Sequence, residues 1–147
     1  MFCPSNCMCD LESSSLEIIN INALVANHQL SIVSLNDSVR IIDSGAFLCS
    51  DIVSLTGGYG LQSVGFGAFA NCTKLQTVVF QDGLKSIGTG AFNNCRRLKE
   101  LFIPSSVTET GYYRNYSTIS KNATILCERD SYAEAYAKEH GYRIRLI

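Results

Sequence analysis

Ile87-Gly-Thr-Gly-Ala-Phe-Asn-Asn-Cys-Arg-Arg-Leu-Lys-Glu-Leu-Phe-Ile-Pro104 decides the fold, because the pattern it carries recurs along the chain. Its Gly90-Ala91-Phe92 has counterparts at Gly67-Ala68-Phe69 and Gly45-Ala46-Phe47, a period of 22 to 23 residues. A unit that short cannot bury its own apolar face and must stack on its neighbours. The aliphatic rows run further than the Gly-Ala-Phe copies. Leu16, Val39, Leu61, Leu84 and Val107 open successive units, and Ile19, Ile42, Val64 and Ile87 follow three residues later. Further rows are Leu30, Ile52, Leu75, Leu98 and Val33, Leu55, Val78, Leu101. A last row holds Leu35, Phe80 and Ile103, with Gly57 interrupting it, where a bulge or local bend is expected. Ala23-Leu24 stands in the first unit where later ones have Ala-Phe. This makes four full units and a fifth that degenerates after Val107.

Within one unit the spacing changes character. Phe69, Cys72 and Leu75 are three apart, which sets them on one side of a short helical or 3₁₀ turn. Val78 and Phe80 are two apart, which is strand alternation. Each unit therefore reads as turn, short strand, turn, short strand. Stacking should give a parallel sheet with Val78 and Phe80 in the core and Thr77, Val79 and Gln81 outside. The fold class that follows is an α/β repeat solenoid, with short parallel strands, short helical or 3₁₀ turns, and a C-terminal helix and strand as its cap.

Leu-x-x-Val-x-Phe at 75–80 and Leu-x-x-Leu-x-Ile at 98–103 fit the L-x-x-L-x-L of a leucine-rich repeat. With the turn that precedes it, the stretch 87–104 resembles the repeat of BspA-like leucine-rich repeat proteins. Ser131-Tyr-Ala-Glu-Ala-Tyr-Ala-Lys-Glu-His-Gly141 resembles that family's terminal cap. The resemblance covers about residues 16–147. It implies a leucine-rich repeat module that binds proteins without catalysis, in a family known mainly for surface-exposed binding and adhesion. The implied partner is an extracellular protein, the implied location is secreted or at the cell surface, and no cofactor is implied. The alternative is a structural or assembly module that self-associates through the repeat face or its N-terminal end. The expected division is a cysteine-containing N-terminal segment at 1–15, repeats at 16–127 and a cap at 128–147.

The cap has physical logic of its own. Ser131 followed by Glu134 is a capping-box pattern, and Glu134 with Lys138 is an i,i+4 ion pair in the better orientation. His140 suits a helix C-terminus and Gly141 the position after it. Tyr142 to Leu146 alternates as a strand would.

The chain has 147 residues, 10% of them aromatic, so one domain can bury a core. A formal net charge of −1 gives no reason to expect nucleic acid or an acidic membrane surface as partner. The longest basic cluster, Arg96-Arg97-Leu98-Lys99, reads as a solvated edge of one repeat. No run reaches the roughly 18 apolar residues of a membrane span. Met1 to Cys7 lacks the regions of a signal peptide, so the chain is expected to be intracellular, or a mature portion or fragment of a longer one.

Cys49, Cys72 and Cys95 fall at one repeat position and read as a ladder of buried thiols. Cys127 is expected in the last core strand. Cys3, Cys7 and Cys9 form C-x₃-C-x-C without a fourth partner nearby, which reads as a partly oxidised or mobile terminus. Asn36, Asn71, Asn115 and Asn122 begin Asn-x-Ser/Thr sequons. Gly65 to Ala70 spells G-x-G-x-x-A, but it sits inside a repeat rather than between a strand and a long helix. His28 and His140 have no nucleophile at a telling spacing, and Asp43, Asp51, Asp82 and Asp130 are scattered among turns. No catalytic or metal-binding set emerges.

A ligand would meet the outward strand positions. By register the candidate partner-binding residues are Thr77, Val79, Gln81, Glu100 and Phe102, with Leu126 extending the row. Val79 and Phe102 make an apolar strip with a polar rim, as interface hot spots do, or Phe102 packs on its sheet neighbours. Gly111-Tyr-Tyr-Arg-Asn-Tyr116 replaces the Gly-Ala-Phe turn in the fifth unit. Its Tyr112, Tyr113 and Tyr116 are candidates for partner recognition, or they plug the open end before the cap.

Overall fold

The computed structural model describes residues 16–113 and 117–147, together with the backbone of 7–10. One parallel sheet holds seven strands: β1 (Cys7–Asp10), β3 (Leu30–Ser34), β5 (Ser54–Thr56), β7 (Thr77–Val79), β9 (Glu100–Phe102), β11 (Thr124–Cys127) and β12 (Arg143–Leu146), side by side in that order. A second parallel sheet stacks five two-residue strands: β2 (Ile18–Ile19), β4 (Ile41–Ile42), β6 (Ser63–Val64), β8 (Ser86–Ile87) and β10 (Glu109–Thr110). The aliphatic rows of the sequence lie between the two sheets, and Val33, Leu55, Val78 and Leu101 are in cross-strand register.

The Gly-Ala-Phe copies form the corners. Phe47, Phe69 and Phe92 are fully buried and stack face to face, with centroids 5.0 and 5.2 Å apart and planes within 10° and 1°. Those separations nearly match the spacing of neighbouring strands, about 4.8 Å. Each ring therefore rests on its counterpart one unit along.

The corners are not the helical or 3₁₀ turns expected from the three-residue spacing. Gly67 and Asn71 both have left-handed backbone, with φ of +58° and +59°, and a left-handed residue every fourth position breaks any helix. Alternate amides take different partners. Ala68 and Ala70 donate locally to Gly65 and Gly67, whereas Phe69 and Asn71 donate to Ala91 and Asn93 of the next unit at 2.8 and 2.9 Å. The corner is thus a third ladder between units, and among the described residues the single helix is α1 (Tyr132–Glu139) in the cap. The architecture is a parallel β-solenoid rather than an α/β repeat.

The thiol ladder also needs correcting. Cys49 is two positions after Phe47, but Cys72 is three after Phe69 and Cys95 three after Phe92. Cys49 therefore takes the left-handed position, with φ of +61°, and is exposed. Ser50 enters the buried row instead. Ser50 Oγ donates to Leu24 O (2.6 Å), Cys72 Sγ to Phe47 O (3.0 Å), Cys95 Sγ to Phe69 O (3.1 Å) and Ser120 Oγ to Phe92 O (3.0 Å). Each small donor satisfies a corner carbonyl one unit back, which a purely apolar side chain cannot do. Cys127 is buried in β11, as its pattern implied.

Gly57 produces no bulge. The β5–β7 register is regular through Thr56 and Val79, and Gly57 N donates to Val79 O at 2.8 Å. A side chain at Gly57 would meet the Phe80 ring 3.1 Å from its Cβ, so the missing side chain makes room for the large ring beside it. The register shift lies instead between Cys7 and Met8, where β1 pairs with β3. The segment read as a loose terminus thus supplies a strand, while Cys3 lies outside the described residues.

In the fifth unit Gly111 N donates to Ile87 O, just as Gly88 N donates to Val64 O one unit earlier. The next corner contact comes late. Phe92 N donates to Thr118 O, and Ile119 bridges Phe92, so Thr118 comes seven positions after Gly111 where Ala91 comes three after Gly88. Buried Ile119 therefore continues the phenylalanine stack after an insertion.

The cap then closes the end. Ser131 Oγ accepts from Glu134 N, while the Glu134 carboxylate accepts from Asp130 N, one residue before the usual capping-box partner. Lys138 binds Glu134 at 2.7 Å and holds its carboxyl below the usual carboxylate range. At the far end Tyr142 N donates to Ala137 O and Gly141 N to Lys138 O, a Schellman motif with Gly141 at φ +68°. Ala133, Tyr136 and Ala137 are buried, and Tyr142 Oη donates to Ile119 O at 2.7 Å.

Two outcomes test this description. Phe69→Ala, which removes a ring held between two others, should destabilise the chain by about 3–5 kcal/mol in urea titrations. Burial pushes the Cys72 thiol up to about 12 and the Cys95 thiol higher still, in both cases above the unfolded value of about 8.5. Their contribution to stability is thus full below about pH 8.5 and lost as pH rises through the folded values. Mass spectrometry after alkylation at pH 8 should find Cys49 modified in the native state, and Cys72 and Cys95 modified only after unfolding.

Candidate functional site

The outer face of the seven-stranded sheet presents two rows. Ile32, Ser54, Thr77, Glu100, Thr124 and Arg143 are aligned in one, and Ser34, Thr56, Val79, Phe102, Leu126 and Arg145 in the other. The structure therefore brings together four of the candidates from the sequence. Thr77 lies opposite Glu100 and Val79 opposite Phe102 on β7 and β9, while Gln81 follows β7. Val79 is 40% exposed, and Phe102 and Leu126 are half-buried. The apolar strip and the sheet packing of Phe102 are thus one arrangement. Phe102 sits between Val79 and Leu126 and keeps part of its surface open.

Sequence reading missed what borders the strip. Arg145 binds Glu100 at 2.9 Å, tying the cap strand to β9. Arg96, Arg97 and Lys99 enter β9, and with Arg143 and Arg145 they line a groove of about 710 Å³. The sequence showed only the first three, as a short basic run. The alternation of Arg143 and Arg145 put both on one side of a strand, but only the stacking of β12 on β11 sets them beside residues more than forty positions earlier.

The described tyrosines of the fifth unit lie in a separate region. Tyr112 and Tyr113 follow β10 of the second sheet and are exposed, and Tyr116 lies outside the described residues. Neither exposed ring plugs the solenoid, which buried Tyr136 and Tyr142 do. Tyr112 instead stands 5.5 Å from the ring of His140 and lines a pocket of about 560 Å³ with Tyr132 and Tyr136 of the cap. Tyr132 Oη bonds Thr110 at its amide and hydroxyl, which fixes that wall.

His28 pairs with Asp51 at 3.3 Å, and a hydrogen bond from Lys74 holds the Asp51 carboxyl below its ordinary value. Among the described residues no three His, Cys, Asp or Glu side chains converge on a metal position. No helix among them is long and apolar enough to cross a membrane. Two sequon asparagines have structural contacts: Asn71 accepts from Asn94, and Asn122 Nδ2 donates to Arg96 O and Leu98 O.

Stacked parallel strands joined by tight corners, with one aliphatic set per turn, define a leucine-rich repeat solenoid. The chain belongs to the BspA type leucine-rich repeat family, since residues 3–126 match the region described as "BspA type Leucine rich repeat region (6 copies)". Proteins of this repeat class are generally protein-interaction modules and typically non-catalytic. Among solved structures it is similar to a leucine-rich repeat protein from Bacteroides capillosus, with 31% identity over 61% of this chain and a TM-score of 0.53. A leucine-rich repeat protein of T. pallidum gives 21% identity over 66% of this chain and a TM-score of 0.52. The pneumococcal vaccine antigen PcpA gives 18% over 77% and a TM-score of 0.56, and these two show the fold alone. The matches span 64%, 58% and 36% of those proteins' chains. No curated protein gives a significant sequence match.

The two faces of one strand separate packing from exposure. Val78→Asp, which buries an unpaired charge, should cost at least about 3 kcal/mol in urea titrations. Val79→Asp, one residue on, should change stability by less than about 1 kcal/mol.

Proposed function

We propose that this chain is a non-catalytic protein-binding module that engages its partner through the outer face of the seven-stranded sheet. The observation that carries this reading is the strip of Val79, Phe102 and Leu126, in cross-strand register and partly open to solvent. An apolar centre rimmed by Thr77, Gln81 and Glu100 matches the anatomy of protein interfaces. Seven strands span only about 29 Å. A face that small suits an extended segment, or one contribution to a longer array, better than a standard interface of about 800 Å² per partner. Family membership supports a place at the cell surface, in adhesion or host interaction, with an extracellular protein as partner. Tyr112 and Tyr113, and Tyr116 with them by sequence, belong to this proposal as a second set of contact residues. The division into an N-terminal segment at 1–15, repeats at 16–127 and a cap at 128–147 is likewise part of this reading.

One observation favours self-assembly as a second reading. The first unit leaves Ile18, Ile21 and Val25 exposed, at the opposite end of the solenoid from the helix. A second copy stacked there would bury them.

A displayed library of extracellular protein fragments, screened against the chain, tests both. For each captured fragment, Val79→Asp and Phe102→Asp should weaken affinity by at least about tenfold with the fold intact by circular dichroism. Affinity untouched by both substitutions sinks the sheet-face reading. A stable dimer in solution, dissolved by Ile21→Glu and Val25→Glu, would establish the assembly reading instead.

A further inference from the structure

The basic groove beside the strip is a second binding feature. Five of the twelve lysines and arginines of a chain with net charge −1 line it: Arg96, Arg97, Lys99, Arg143 and Arg145. Charge is therefore segregated rather than interspersed. The one acidic residue lining the groove, Glu100, is bound by Arg145. Among the described residues no carboxylate pairs with Arg96, Arg97, Lys99 or Arg143. Elsewhere the nearby cation of the same row is neutralised. Asp51, Lys74 and Arg97 each precede a buried aliphatic, namely Ile52, Leu75 and Leu98, and Lys74 binds Asp51 at 2.7 Å. Arg97 stands one unit further on with no such neighbour.

Two of the cations are positioned without being neutralised. Arg96 Nε donates to Asn94 Oδ1 at 2.8 Å, and Arg143 donates to the carbonyl of Asn122. Neutral acceptors orient a guanidinium and leave its charge for a ligand. Guanidinium forks match carboxylate oxygens in pairs, and a concave wall with one sign of charge concentrates the field.

The groove and the strip share strands. Lys99 immediately precedes β9, and Phe102 ends it. Phe102 is three positions after Lys99, about 10 Å at 3.3 Å per residue. We infer that the partner is an acidic peptide segment in extended form, with carboxylates in the groove and an apolar side chain about three residues away on Val79, Phe102 and Leu126. This rests on the sheet-face reading and adds the chemistry of the partner. A sulfated polysaccharide would use the cations but has no group for the strip, so the continuity of the two favours a peptide.

The test uses a fluorescein-labelled synthetic peptide with four consecutive glutamates and one phenylalanine three residues away, its Phe→Ser twin, and a labelled heparin fragment. Fluorescence anisotropy is read on the full chain, on Arg97→Glu/Lys99→Glu and on Val79→Asp, each checked by circular dichroism. The inference expects the Phe peptide to bind, with affinity falling at least about tenfold on charge reversal and again for the Ser twin. It also expects a steep loss between about 50 and 500 mM salt with the unmodified chain, which needs no variant to fold. Peptide binding lost in Val79→Asp but unchanged by charge reversal and salt would overturn the groove while leaving the sheet-face reading intact. Equal binding of the Phe and Ser peptides would overturn the apolar anchor. Heparin binding without peptide binding would assign the groove to polysaccharide, and no binding of any probe below roughly 1 mM would mark it as solvated surface.

Discussion

Everything in this solenoid depends on the hydrogen-bonded ladders that fix the rise between units. Two parallel sheets and the corner amides run such ladders along the same axis, so every unit is held near 4.8 Å from the next. At that spacing a side chain meets its counterpart one unit along. Rings then stack on rings, as Phe47, Phe69 and Phe92 do, and a small donor must reach the carbonyl left open one unit back. The repeat in the sequence is the chemical consequence of that fixed rise.

The same constraint explains where the pattern changes. Phe80 is a large ring in an aliphatic row, and its neighbour in the preceding unit is Gly57, the one residue with no side chain to displace. In the fifth unit the ladder resumes at Thr118 and Ile119, because the amide of Phe92 still needs a partner. A ladder also has to end. Ile119, Tyr136 and Tyr142 close it on one side, with the Tyr142 hydroxyl satisfying the Ile119 carbonyl.

Function lies in what the ladder leaves free. Core positions are fixed by their counterparts, but the outward rows carry Ser34, Thr56, Val79, Phe102 and Leu126 in succession, a gradient from polar to apolar along one register line. The apolar end of that line meets the cationic wall brought by the cap strand. The repeat face alone is short, and the cap adds charge where the repeats end.

The sequence by itself determined the stacking, the identity of the core rows, which strand residues face outward and the closing helix, because each follows from local spacing and a fixed period. It misplaced the corners, since a spacing of three is common to a helical turn and to paired turns with left-handed residues, and only backbone φ separates them. It misplaced Cys49 because a single missing residue moves a side chain from core to surface. The tertiary structure alone decided that residues 7–10 form a strand, that Ile119 continues the phenylalanine stack, and that Arg143 and Arg145 face Arg96, Arg97 and Lys99. Those relations join units across the chain's irregular ends, where no period is available to read.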